Sequence, residues 1–100
     1  MKLGILVNTD RHLAHVIGLT TAALAKAHDV EIFTMDGGTR LLDNTSFTEL
    51  SGLEGVSMSL CEHSAKNYDV KTDALGENIT CGGQLYNSMM NNRCDRVVVL

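Results

Sequence analysis

Leu3-Gly4-Ile5-Leu6-Val7 is a short continuous apolar run, the pattern of a strand covered on both faces. Asn8-Thr9-Asp10 follows it as a turn with helix-capping side chains. From His12 to about Ala27 the apolar residues Leu13, Val16, Ile17, Leu24 and Ala27 recur at helical spacing. Val30 to Met35 then alternates as a strand does, and Asp36-Gly37-Gly38 breaks it. A strand, a helix and a second strand in this span predict a right-handed crossover between parallel strands.

Further along, Ser46-Phe47-Thr48-Glu49 has the spacing of a capping box opening a short helix, with Gly52 or Gly55 to stop it. Val56 to Leu60 reads as a third strand ending at Cys61, and Glu62 to Tyr68 as a short helix. Lys71 to Asn78 has no clear period, and a brief fourth strand is expected near Asn78-Ile79. Gly83 to Asn92 is helical in pattern, with Leu85, Met89 and Met90 as its apolar side. Arg96 to Leu100 is a last strand. This alternation predicts a three-layer α/β/α fold around a mostly parallel sheet of about five strands, in one domain spanning residues 1–100.

Composition narrows the function. The 100 residues are 44% hydrophobic and 20% charged, as in a globular protein. A chain of this size leaves much apolar surface uncovered, which favours a homo-oligomer. The net charge is −4 and the 8 Lys and Arg residues are scattered, so no nucleic-acid partner is expected. No apolar run reaches membrane-spanning length, so no membrane partner is expected. The apolar stretch near the N-terminus is too short for a secretory leader and meets Asp10 and Arg11. With no export signal and an odd number of cysteines, three, the expectation is a cytoplasmic protein with free thiols.

Candidate chemistry gathers where parallel strands end. That edge is expected to receive Asp10 and His12 after the first strand, Asp36 after the second, Cys61 and His63 after the third, and Cys81 after the fourth. Cys94 precedes the last strand and falls at the opposite edge. Cys61 stands out because a thiol at a helix N-terminus meets unpaired N–H groups that favour thiolate. His63 and Lys66 are placed to add positive charge and Glu62 to oppose it, while Cys81 is a candidate resolving thiol. Against this stands Cys61 as a small packed hydrophobe. His12, Cys61, His63 and Cys81 are ligand types that zinc accepts, but they lack any zinc-site spacing. Neither a metal nor an organic cofactor is expected.

Four segments carry a resemblance. They are Leu6 to Asp10 leading into an alanine-rich helix, and Val30-Glu31-Ile32-Phe33 followed by Asp36-Gly37. The others are Val56 to Val70 with Cys61 and Ser64-Ala65, and Cys94-Asp95-Arg96-Val97-Val98 near the end. In this order they resemble the small DsrE/DsrF/TusD-like proteins, which relay sulfur as a cysteine persulfide. The resemblance implies a doubly wound α/β domain that assembles as trimers or hexamers. It places the sulfur-carrying cysteine at Cys61, with sulfur donor and acceptor proteins as partners. It leaves open a sulfurtransferase, a non-catalytic subunit, or a small-ligand or metal-binding module using the same strand-end cleft. One departure is local: Tyr68-Asp69 stands where family members often have Arg-Gly. Asp69 must then take a turn conformation that glycine adopts easily.

Overall fold

A computed structural model describes residues 1–100. Its strands are β1 (Lys2–Val7), β2 (Asp29–Thr34), β3 (Val56–Cys61), β4 (Ile79–Gly82) and β5 (Arg96–Val99). The α-helices are α1 (Leu13–Ala25), α2 (Thr45–Thr48), α3 (Glu62–Asn67) and α4 (Gln84–Arg93). All strand pairs are parallel, in the order β4-β3-β2-β1-β5. The α/β architecture expected from the sequence is therefore present, with every strand parallel.

The order explains the layers. From β1 to β4 each strand lands beside the last, moving one way across the sheet. The step from β4 to β5 reverses direction and passes beyond β1. Right-handed crossovers then put the connection through α4 on the opposite face from those before it.

One face, called here the thick face, carries Ile5, Val7, Val30, Ile32, Met58, Leu60 and Ile79. It is covered by Val16 and Ala23 of α1, Leu41, Leu42, Phe47 and Leu50 from the segment between β2 and β3, and Ala65 of α3. The other, thin face carries Leu6, Phe33, Cys61 and Val97 and is covered by α4 through Tyr86 and Met90. Strand alternation assigns each residue to its face: Ile5 pairs with Ile32 and Ile32 with Met58, while Leu6 pairs with Phe33.

Several local expectations change. The segment between β2 and β3 is 3₁₀ over Asp36–Asp43, then α2, then 3₁₀ over Glu49–Gly52. The cap of α2 is Asn44, whose side chain accepts the Ser46 N–H at 2.9 Å, so Ser46 does not open a capping box. An Asx cap two residues earlier satisfies the same orphan donors. In α4 Leu85 is 70% exposed, and Tyr86 and Met90 face the sheet in place of Leu85 and Met89. The expected turn at Asp69 is present, with φ of 54°. No helix is long and apolar enough to cross a membrane.

Candidate functional site

Cys61 is the last residue of β3 and the cap position of α3. It stands beside Gly82 of β4 in register, and its side chain points to the thin face among Phe33, Met35, Tyr86 and Met90. Only 4% of the residue is exposed. Gly82 makes this packing possible, because a Cβ there would run into the Tyr86 ring. The Tyr86 ring therefore occupies the space over Gly82, next to the thiol.

Burial alone would push the Cys61 thiol up, since a thiolate is poorly solvated there. Hydrogen-bond donors outweigh it and bring the thiol below its ordinary value. They are the Ser64 hydroxyl, the Ser64 N–H, the Gln84 side-chain amide and the His63 N–H. The Cys61 side chain makes no capping hydrogen bond to α3. Gln84 also donates to the Met35 sulfur at 3.8 Å.

The remaining sequence candidates are dispersed. His63 contributes its backbone amide, and its ring is exposed. Lys66 pairs with Glu62 at 3.7 Å on the outer surface of α3, and no charged side chain helps to lower the thiol. The expectation that His63 and Lys66 supply positive charge is thus corrected: the donors are neutral. Asp10 pairs with Arg40 at 3.9 Å, and Arg40 in turn lies 5.0 Å over the Tyr68 ring. His12 meets His15 edge-on at 5.8 Å on α1. Asp10 and His12 follow β1, two strands from β3, a lateral distance of about 10 Å.

Cys81 lies inside β4 rather than after it, and it pairs with Leu60 while Gly82 pairs with Cys61. Alternation sends Cys81 and Cys61 to opposite faces. Cβ vectors that diverge this way cannot be bridged without moving backbone, so Cys81 is not placed as an intramolecular resolving thiol. All three cysteines are free. His12, Cys61, His63 and Cys81 do not converge, and no group of three or more His, Cys, Asp or Glu side chains is arranged to hold a metal.

Sequence reading missed Gln84, Tyr86 and Met35 as neighbours of the thiol. A signal for the first two existed in Gly82-Gly83, which lets the chain turn tightly from β4 into α4. Met35 required knowing that β2 lies beside β3.

The chain matches no protein-family model and no curated protein. It is similar in structure to the YchN protein from E. coli, with a TM-score of 0.77 and 12% identity over 99% of this chain and 97% of that one. It is also similar to MTH1491, a protein of unknown function from Methanobacterium thermoautotrophicum, with a TM-score of 0.79 and 15% identity over 99% and 98%. The likeness is one of fold. It spans nearly the whole of each chain.

Proposed function

We propose that this protein relays sulfur, with Cys61 as the thiol that accepts and donates a persulfide sulfur. The observation that carries the reading is the position of Cys61 at a strand-to-helix junction, as the last residue of β3 and the cap position of α3, where neighbouring neutral groups favour its thiolate. A thiolate stabilised by hydrogen bonds, without a metal or a fixed counter-charge, suits reversible attack on sulfur. The same donors can hold the negative charge of a terminal persulfide sulfur. The sequence resemblance to the DsrE/DsrF/TusD-like proteins supports the same residue. Partners under this reading are sulfur donor and acceptor molecules, and assembly as a homo-oligomer would present Cys61 near a subunit boundary.

The test is mass spectrometry after incubation with a persulfide donor. A gain of about 32 Da, one sulfur atom, is expected on the peptide carrying Cys61 and is abolished in Cys61→Ser. An adduct that persists in Cys61→Ser overturns the assignment. The other reading, a module that binds a small ligand without chemistry, predicts no such adduct at any donor concentration.

A further inference from the structure

One edge of the sheet and the helix above it are free of charge. From Asn78 to Asn92, through β4 and all of α4 but Arg93, no residue is charged, in a chain where 20% of residues are. β4 is an edge strand, paired only with β3, and it holds neither proline nor a charged side chain. No turn or loop hydrogen bond engages the backbone from Ile79 to Gly82. Alternate residues of β4 therefore turn N–H and C=O groups outward, where another strand can pair with them. Thr80 is exposed on the thin side of this edge and Cys81 on the thick side.

α4 turns its apolar flank toward the same edge. Tyr86 and Met90 face the sheet, so Asn87 and Asn91, one residue on, line one flank, and Leu85 and Met89, one residue back, line the other. Gln84 bonds to Met35, which follows β2, the Asn87 amide bonds to Gln84, and the Asn91 amide to Asn87. The asparagine flank therefore looks toward β2 and beyond it to β5, and Leu85 and Met89 look toward β4. They are 70% and 37% exposed. The start of α4 also lacks a counter-charge: Gly83 gives no side-chain cap and the first turn has no acidic residue. Glu77, just before β4, is exposed and forms no ion pair.

We propose that β4 pairs antiparallel with β4 of a second copy of this chain, about a two-fold axis perpendicular to the sheet, joining the two sheets into one. The proposal goes beyond the sulfur-relay reading and stands without it. Such an axis keeps both thin faces on one side, so the Leu85–Met89 flanks of the two α4 helices face each other across it. Pairing centred on Thr80 sets Glu77 of one copy opposite Gly83 of the other, and pairing centred on Cys81 sets it opposite Leu85. Either way each Glu77 falls beside the uncapped start of the other copy's α4, where negative charge is stabilising. A chain with net charge −4 repels its own copy over most of its surface. The β4 edge supplies the uncharged, self-complementary patch that a two-fold contact requires. The opposite edge, β5, holds Arg96 with Asp95 beside it and lies on the asparagine side of α4.

Sedimentation and cross-linking of the full chain test the contact. The protein should sediment at micromolar concentration as a dimer or as an even-numbered assembly of such dimers. The pairing sets the two Cys81 residues opposite each other or one diagonal apart, about 5–8 Å. A short bis-maleimide should therefore join Cys81 to Cys81, identified by peptide mass, and this link should yield dimers and nothing larger. Leu85→Glu, at an exposed site, removes apolar contact and adds charge near the other copy's Glu77. It should raise the dissociation constant about tenfold or more with an unchanged circular-dichroism spectrum. Adding Glu77→Lys to Leu85→Glu should restore most of the association, because repulsion becomes attraction. Val99→Arg, on the β5 edge, should leave the dimer intact. A monomer at micromolar concentration, or an assembly without the Cys81–Cys81 link, overturns the proposal. So does an assembly that Leu85→Glu leaves unchanged, or one that Val99→Arg breaks instead.

Discussion

The two faces of the sheet are built by the same strands and differ in almost everything else. The thick face holds a core of 15 buried side chains. The thin face holds three, with Cys61 among them, and beside them lie serines, a threonine and an ion pair. Strand alternation alone produces the difference: Met58 and Leu60 go one way, and Ser57, Ser59 and Cys61 go the other. Stability and chemistry are thereby separated across one sheet. Residues on the thin face are free to be polar because the thick face supplies most of the apolar burial.

Substitutions at the centre of each face test that division. Ile32→Ala, on the thick face, should cost about 3–4 kcal/mol in urea unfolding, from lost burial and the cavity it leaves. Met90→Ala, on the sheet-facing side of α4, should cost about 2–3 kcal/mol, because the thinner layer can relax into the space. If Met90→Ala proves the more damaging, the thin face is not the weaker half. Next in size is Gly82→Ala, whose Cβ must displace the Tyr86 ring. It should cost about 1–2 kcal/mol and also speed alkylation of Cys61.

Titration of the cysteines offers a sharper contrast. Burial pushes the Cys94 thiol up, and the nearby Glu31 charge adds to the rise. Cys61 goes the other way despite its burial. Residue-resolved alkylation should therefore reach its midpoint at lower pH for Cys61 than for Cys94. Gln84→Ala should move the Cys61 midpoint upward and leave that of Cys94 where it is. The signs carry over to stability. The Cys61 contribution is complete above the unfolded thiol value and is lost as pH falls through its folded value. The Cys94 contribution is present below the unfolded value and is lost as pH rises through its folded value. The smallest effect belongs to neither face: Gly18, in α1 with open space around its Cα, should gain about 0.5–1 kcal/mol on replacement by alanine.

Much of the fold was legible in the sequence because it depends on local pattern. All five strands and the helices α1, α3 and α4 stand within a few residues of their expected places. What escaped was governed by contacts distant in the chain. Leu85 and Met89 look like the buried side of α4 by hydrophobicity, but Tyr86 fits over Gly82 and turns the helix. Lys66 and His63 look like helpers of the thiol by proximity in sequence, but α3 carries Lys66 outward to Glu62.

For the site itself, the sequence determined that a cysteine would close a strand and begin a helix, since both periodicities meet at Cys61. Only the tertiary structure decided what surrounds it. Register placed Gly82 beside Cys61 and sent Cys81 to the other face. The right-handed return through α4 then brought Gln84 and Tyr86 onto the thiol and left Ser57, Ser59 and Thr80 open along the sheet. A residue's neighbours across a parallel sheet depend on strand order and register, and neither is written in any local stretch of the chain.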